Sequence, residues 1–242
     1  DNIFIHLNSS NTNNDTIVKD NYFFITQKNV KKPIKLNTIC ALINIEKNQK
    51  YSKKEVEKTY NNLSNLLFFK KIVIEFNETG GNQLNCNIYL ESPIKMYYSI
   101  EAETKRSADE GNLGVSAYFQ FGNKNLLKGA ENLNGKIKLS LENRQTTINN
   151  NEKLFNTREV FYEIGLRVPK LIMPKFIVNQ LTSSFQMNTD FVFSLAQRKR
   201  PDFSSEIITQ KLGYSWKSSK NIEHQFNLIE LSFSDIGEIN SF

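Results

Sequence analysis

The sequence predicts a small α+β module followed by a series of long antiparallel β-strands. Up to about residue 93 the apolar residues change between helical and strand periodicity, whereas from Met96 onward apolar and polar residues alternate. Aromatic residues make up 12% of the chain, which argues against intrinsic disorder. The 32 asparagines suit many polar turns, because asparagine favours turns and is depleted in strand interiors.

The module begins with an alternating segment, residues 2–7, that predicts a strand. The polar residues 8–20 predict a loop, and residues 22–26 predict a short extended segment. Residues 36–45 carry apolar side chains at roughly helical spacing, so a first helix is expected there.

A capping box predicts the start of a second helix. Ser52 and Glu55 have the spacing at which each side chain bonds the other residue's backbone N–H. The apolar residues that follow at helical spacing predict one buried face, formed by Val56, Tyr60, Leu63 and Leu67.

Two strands complete the module. Residues 69–76 switch to an alternation of period two, Gly80 and Gly81 mark a hairpin turn, and residues 84–90 predict the next strand. The predicted order is therefore strand, helix, helix, strand, strand.

The second part predicts seven strands and no helix. They are expected at residues 96–102, 113–121, 137–141, 160–168, 185–195, 207–216 and 226–233. A transmembrane β-strand needs about 9–11 residues, with one face in lipid and the other in a polar lumen. A soluble sandwich or ligand-binding barrel shows the same alternation, but its strands are typically nearer 5–6 residues. Length therefore favours membrane strands and leaves the soluble alternative open.

Seven strands cannot close a membrane barrel. A sheet edge in hydrocarbon leaves backbone groups without partners, and bacterial single-chain barrels have even strand numbers of at least about eight. We therefore expect the chain to be part of a longer one, or the remaining wall to come from elsewhere.

Bulk features exclude several other classes. No apolar run approaches the roughly 18 residues of a transmembrane helix, and no signal peptide is visible after Asp1. The net charge of +6 comes from scattered lysines without the interleaved aromatic and basic residues of a nucleic-acid reader. Cys40 and Cys86 fit neither a zinc site nor a dense disulfide framework, and whether they pair stays open.

No residue pattern predicts catalysis or a cofactor. His6 and His224 lack metal-ligating neighbours at suitable spacing. The glycines at 111 and 114 precede a strand and not a helix, unlike a phosphate-binding loop. Glu159, Glu163 and Arg167 share one strand face, as expected of a polar lumen lining. We predict no catalytic, cofactor-binding or metal-ligating residues.

The layout and several short motifs resemble the BamA/TamA superfamily of outer-membrane assembly proteins. A strand–helix–helix–strand–strand module before membrane hairpins resembles a POTRA domain joined to an assembly barrel. The POTRA-like residues are Tyr51, Ser52, Thr59, Leu63, Leu66, Leu67, Phe68, Phe69, Lys70, Val73 and Ile74. The barrel-like motifs include Glu103-Thr104, Gly111-Asn112-Leu113-Gly114-Val115, the turn at 123–131, Phe155-Asn156-Thr157-Arg158-Glu159, the stretch 168–174, Arg200-Pro201-Asp202-Phe203 and Leu212-Gly213-Tyr214-Ser215-Trp216. Together these are most similar to the TamL branch.

The resemblance spans residues 1–242 and implies a domain division. Residues 1–93 would be a periplasmic POTRA domain, and residues 94–242 about the first seven of the family barrel's sixteen strands, in the outer membrane of a Gram-negative bacterium. The long insert between Asn8 and Lys35 departs from an ordinary POTRA connection, and the family's Arg-bearing barrel loop is absent, which we interpret as truncation. At the turn, Lys124 stands where the family usually has arginine.

The implied function is insertion or translocation of client proteins, without enzymatic activity or a cofactor. The implied partners are the outer-membrane bilayer, client proteins, and a periplasm-spanning TamB-like protein or accessory lipoproteins, with no nucleic acid. The alternatives are a passive channel or receptor barrel with a docking domain, and a soluble β-domain.

Two strands are the candidate functional elements. By resemblance, the first barrel strand forms a lateral seam that templates client strands: Met96, Tyr97, Tyr98, Ser99, Ile100, Glu101, Ala102, Glu103 and Thr104. An edge strand of the module could accept an added strand through main-chain hydrogen bonds: Lys70, Lys71, Ile72, Val73, Ile74, Glu75 and Phe76. For each, the alternative is an ordinary strand of its own sheet.

Overall fold

The computed structural model describes residues 2–8, 14–28, 34–81, 83–92, 95–106, 113–143, 155–173, 187–201, 203–219 and 222–238. The chain divides into two compact units. The first contains residues 1–95 together with Lys124–Glu131, and the second contains Met96–Asn123 and residues 132–242.

The first unit is a five-stranded mixed sheet with two helices. Its elements in chain order are β1 (Ile3–Leu7), β2 (Asn14–Lys19), β3 (Tyr22–Gln27), α1 (Leu36–Cys40), α2 (Lys53–Asn65), β4 (Lys71–Gly80) and β5 (Gln83–Glu91). The sheet order is β2-β3-β1-β5-β4, with β1 parallel to both of its neighbours and the other pairs antiparallel.

One face of this sheet carries the core. Alternate residues of β1 and β5 are buried against side chains of the helices and of the segment after α2, in a cluster that includes Ile5, Ile39, Leu63, Phe68 and Ile88. The period-two alternation of the strands predicts this burial, since every second side chain points to the same face.

Several expectations for this unit need correction. Residues 14–19, predicted as loop, form β2, which pairs with β3 as a hairpin at one sheet edge. The helix expected over 36–45 ends after Cys40. Ser52 is the N-cap of α2, but its side chain makes no capping hydrogen bond.

The buried face of α2 also differs from the prediction. Thr59 and Leu63 are its buried residues, with Leu66 just after the helix, whereas Tyr60 and Leu67 are exposed. Leu67 has a positive φ of 53°, so the chain has already left the helix there. Thr59 replaces an apolar side chain because its hydroxyl accepts a hydrogen bond from the Asn44 backbone N–H at 2.9 Å.

The second unit is a seven-stranded antiparallel sheet in simple chain order. Its strands are β6 (Met96–Arg106), β7 (Leu113–Asn123), β8 (Asn132–Asn143), β9 (Thr157–Val168), β10 (Met187–Lys199), β11 (Phe203–Ser219) and β12 (Ile222–Glu238). All seven predicted strands are present, at 11 to 17 residues each. Phe185, where the fifth was expected to begin, lies outside the described residues.

Candidate membrane-spanning sheet and its open edges

The predicted seam residues, 96–104, lie in β6 at one edge of the seven-stranded sheet. In the described part of the chain β6 pairs with β7 alone, from Met96 opposite Asn123 to Arg106 opposite Leu113. Tyr98 is 77% exposed and Ile100 is 74% exposed. Among the described residues β6 is therefore one edge strand of this sheet, and β12 is the other.

The predicted edge residues of the module, 70–76, lie mostly in β4, at the edge opposite β2. Lys70 precedes the strand, and its N–H donates a 2.8 Å hydrogen bond to the Glu91 carbonyl. Ile72, Ile74 and Phe76 pack against the core, whereas Lys71 is exposed. β4 thus pairs with β5 on one side, and its other side is an edge of the five-stranded sheet.

One face of the seven-stranded sheet carries mostly apolar side chains on every strand, with Gln210 of β11 as a polar exception between Phe193 and Leu231. The register places these side chains on it: Met96, Tyr98, Ile100, Ala102, Leu113, Val115, Ala117, Phe119, Phe121, Leu133, Ile137, Leu139, Leu141, Val160, Tyr162, Ile164, Leu166, Phe191, Phe193, Leu195, Ile208, Leu212, Ile229, Leu231 and Phe233. We call this the apolar face. Many of its members are more than a third exposed within the chain, for example Leu139 at 51% and Phe233 at 62%. A patch of this extent requires an apolar cover.

The opposite face, here the polar face, carries ion pairs and hydroxyl contacts. Glu159 lies between Lys138, at 3.0 Å, and Arg198, at 2.5 Å. Arg167 binds Asp190 at 2.6 Å, and the Ser215 hydroxyl donates to the same carboxylate at 2.7 Å.

Further contacts on the polar face join neighbouring strands near both edges of the sheet. They are Lys211 with Glu230, Ser116 with Ser140, Tyr118 with Glu103, and Thr209 with Ser232. Phe161, Val192, Ile207 and Ile236 are large apolar exceptions on this face. The predicted lining by Glu159, Glu163 and Arg167 does lie on this one face.

The apolar face differs in length from strand to strand. One end of it is level, because the register places one apolar residue of each strand from β8 to β12 in a single row: Leu133, Leu166, Phe191, Leu212 and Ile229. At the other end the last large apolar side chain is Leu141 on β8 but Phe233 on β12, four residues before Gly237, which is in line with Leu141. The apolar run is therefore four residues longer on β8 than on β12.

Two glycines in the sheet lie beneath aromatic rings. A Cβ at Gly122 would lie 2.2 Å from the ring of Tyr97, and a Cβ at Gly135 would lie 2.1 Å from the ring of Phe121. Each ring belongs to the residue directly opposite, on β6 and β7 respectively. By contrast, a Cβ at Gly114 would meet nothing closer than 3.6 Å. The rings replace the side-chain packing that glycine lacks, which secures the β6–β7–β8 register.

The connection between β7 and β8 is an ordered turn that belongs to the first unit. The Lys35 N–H donates to the Lys128 carbonyl at 2.8 Å, and Ala130 is 2% exposed in the first unit's core. Glu131 accepts from the backbone N–H groups of Leu127 and Gly129, at 3.1 and 2.9 Å. The sequence predicts only a turn for this stretch. A single buried alanine beside a glutamate is too weak a signal to predict that the turn packs into the first unit's core.

Each of the two histidines singled out from the sequence stacks on an aromatic ring. His6 stacks on Tyr89 with ring centroids 4.4 Å apart, and His224 stacks on Trp216 at 5.1 Å. Among the described residues no group of three His, Cys, Asp or Glu side chains could hold a metal ion, and no helix is long and apolar enough to cross a membrane.

Both cysteines are free. Burial is the main reason that the pKa of Cys40 is raised to about 11, with Asp20 adding to the effect. Burial likewise raises the pKa of Cys86 to about 12. A thiol with so high a pKa is a poor nucleophile at neutral pH, so neither has the properties of a reactive cysteine.

The chain has distant structural likenesses to two solved structures. A crystal structure of BamA from Haemophilus ducreyi lacking POTRA domains 1–3 shares 7% identity over 94% of this chain and 53% of its own, with a TM-score of 0.33. CdiB from Acinetobacter baumannii shares 7% identity over 89% of this chain and 50% of its own, with a TM-score of 0.37. The chain thus spans about half the length of these two proteins. At such low identity and TM-score, the likeness carries no functional inference for this chain.

No protein-family model matches the chain, and neither does any curated protein.

Proposed function

We propose that this chain belongs to an outer-membrane protein that inserts or translocates client proteins. In this proposal residues 94–242 contribute strands to a transmembrane β-barrel, and residues 1–93 are a POTRA domain in the periplasm. The protein works without a cofactor and without enzymatic chemistry. Its partners are the bilayer, client proteins, and a TamB-like protein or accessory lipoproteins.

The observation that carries the membrane part is the amphipathic sheet of the second unit. A largely apolar face that extends over seven strands suits lipid, and the opposite ion-paired face suits a watery lumen. A soluble sandwich also has one apolar face, but it needs a second sheet to cover that face. The strand lengths of 11 to 17 residues support the lipid-facing alternative, since the strands of soluble sandwiches are typically shorter.

The assembly part of the proposal is supported by the resemblance of the β6–β7 hairpin motifs, and β6 is one of the two edge strands of the sheet formed by the described residues, with β12 as the other. A client strand that reaches the bilayer must satisfy its backbone groups, because hydrocarbon offers no partners. An unpaired strand edge supplies these partners through ordinary antiparallel pairing, and no side-chain chemistry is needed. The resemblance of the hairpin motifs points to the same strand. The open side of β4 gives the POTRA domain a second place where an extended client segment could add.

The seam is tested by placing a photoreactive amino acid at Ile100 in β6 and, as a matched control, at Leu139 in β8. Both side chains lie on the apolar face, but β8 is paired on both sides whereas β6 is paired on one. We expect irradiation of cells to yield adducts with outer-membrane precursors at Ile100 and not at Leu139. Adducts of equal yield at both positions, or none at Ile100, would contradict the seam.

A passive channel or receptor barrel is the second candidate, favoured by the charged side chains along the polar face. Depletion of the protein separates the two functions. An assembly factor predicts reduced levels of other outer-membrane barrels, whereas a channel predicts unchanged barrels and a lost solute uptake. A chain that is monodisperse in water without detergent would contradict both and favour a soluble β-domain.

A further inference from the structure

A short segment after β9 lies across one end of the apolar face. Thr189 and Tyr214 belong to that face, because Thr189 is in register with Val168 and Tyr214 and lies two residues before Phe191. The Thr189 hydroxyl donates to the Lys170 carbonyl at 2.8 Å and accepts from the Ile172 N–H at 2.9 Å. Residues 169–173, which we call the strap, therefore run over the apolar face of β10.

A third hydrogen bond extends the strap's attachment to β11. The Tyr214 hydroxyl donates to the Ile172 carbonyl at 3.2 Å. As a result Thr189 is 0% exposed and Tyr214 is 6% exposed, although both lie on a face whose other members are largely open. The strap thus covers the place where a threonine interrupts the apolar run of β10.

The strap presents apolar side chains of its own in place of Thr189 and Tyr214, which it covers. Ile172 is 45% exposed, Leu171 and Met173 are half-buried, and Lys170 is exposed. An irregular segment cannot lie deep in hydrocarbon, where its unpaired backbone groups would lack partners. At the headgroup level those groups meet water, while apolar side chains reach the acyl chains and lysine reaches the phosphates. The neighbouring Trp216, two residues beyond Tyr214, is also a residue type enriched at that level.

We propose that the strap is an interfacial anchor that holds this side of the sheet at the headgroup level of a phospholipid leaflet. The inference rests on the proposed membrane function. Chain direction places the strap at the end of the sheet where β6 begins, which is the periplasmic end if the first unit is periplasmic. Its partner is therefore the phospholipid of the periplasmic leaflet.

The test uses single-tryptophan reporters in the protein reconstituted into phospholipid vesicles that contain brominated lipids. The native tryptophan is removed by Trp216→Phe, and one reporter is introduced as Ile172→Trp, Ile164→Trp or Ser194→Trp. Ile164 lies mid-way along the apolar run of β9, and Ser194 lies on the polar face. Only protein that keeps the gel mobility of the folded form is measured.

We expect the reporter at 172 to be quenched most by bromines close to the headgroup, and the reporter at 164 most by bromines near the bilayer centre. The reporter at 194 is expected to be quenched least by either lipid. Adding Thr189→Val, which keeps the shape and removes both hydroxyl bonds, should lower the quenching at 172 and leave that at 164 unchanged. Leu171→Trp serves as a second reporter if Ile172→Trp does not fold.

The outcomes separate the two proposals. If 164 is quenched but the strap reporters have the emission of a water-exposed tryptophan, the anchor is wrong and the membrane sheet stands. Strongest quenching of the strap reporters by the deep bromines also overturns the anchor. If 164 is not quenched by either lipid, the membrane function itself fails.

Discussion

An arginine scan along the apolar face of β9 distinguishes a lipid-facing sheet from one whose apolar face is open to water. Ile164 lies at the middle of the apolar run 160–168 and is 46% exposed within the chain. If the face were open to water, Ile164→Arg would change the free energy of unfolding by no more than about 0.5 kcal/mol. At a bilayer midplane the same change costs about 2–4 kcal/mol. That is a decrease of roughly 30- to 700-fold in the folding equilibrium constant.

The native sequence gives the depth scale for this experiment. Arg158 lies on the same face, six residues from Ile164, which is about 20 Å along a strand. At the tilt of about 35–45° that membrane barrel strands have, this is about 14–16 Å along the membrane normal, close to half of a hydrocarbon core of about 30 Å. Arg158 thus lies at the expected interface. Val160→Arg, between the two, should therefore cost less than Ile164→Arg and fall toward about 0–1 kcal/mol.

The assay is equilibrium denaturant unfolding in phospholipid vesicles, with the folded fraction read from gel mobility without heating. Ser194→Arg is the matched control, because Ser194 lies on the polar face directly opposite Glu163. We expect this control to change stability by less than about 0.5 kcal/mol. Equal costs at Ile164 and Ser194, or a cost at Val160 larger than at Ile164, would refute a lipid-facing apolar face.

Three further predictions follow from individual contacts. Gly135→Ala should lower the free energy of unfolding by about 1–3 kcal/mol in the same assay because a Cβ would meet the opposite ring. Gly114→Ala is the control and should not, because a Cβ there would make only ordinary contacts at 3.6 Å or more. Glu131→Ala should lower the thermal midpoint, since two backbone N–H groups lose their acceptor at a cost of about 1–3 kcal/mol, whereas Glu131→Gln keeps an acceptor and should cost less. Because Cys86 is buried and Cys40 only partly so, and burial raises the pKa of both thiols, iodoacetamide followed by mass spectrometry should modify Cys40 faster than Cys86 near pH 8; equal rates in the folded protein would contradict this.

The thiols also set a direction for stability against pH. Both folded pKa values lie above the ordinary value of 9.0, so the folded state holds protons that the unfolded chain releases. Their contribution is present below pH 9 and is lost as the pH rises from 9 through the folded values. Cys86→Ser removes an ionisable thiol. It should therefore raise the pH midpoint of alkaline unfolding if the free energy lost with the buried apolar contact is smaller than the free energy that thiol ionisation costs the folded state.

The positions of the strands in the second unit were predictable because they depend on the local alternation of apolar and polar residues. In β9 every second residue is apolar from Val160 to Val168, and a strand with one polar face repeats this signal along its whole length. The hairpin turn at Gly80 and Gly81 was predictable for a similar reason, since both residues have positive φ values that favour glycine.

The errors in the first unit arise where long-range pairing outweighs local composition. Residues 14–19 are exposed and rich in polar side chains, and they become a strand because β3 offers a partner edge. Thr59 is polar in sequence but buried, because the Asn44 backbone N–H on another segment gives its hydroxyl a partner. Neither partner is near enough along the chain for a periodicity argument to find it.

At Thr189 the break in the alternation itself coincides with a structural feature. On the alternation alone it is a polar residue in an apolar row, and an uncovered hydroxyl in hydrocarbon would be unfavourable. The structure provides a cover of five residues whose backbone satisfies the hydroxyl as both donor and acceptor. A polar residue on this face does not by itself indicate such a cover, since Gln210, in line with Phe193, is exposed. At Thr189 the covering segment is observed, and in the proposed membrane arrangement the same position is the end of the lipid-facing band on β10. The interruption of the alternation at Thr189 therefore coincides with the proposed interfacial anchor.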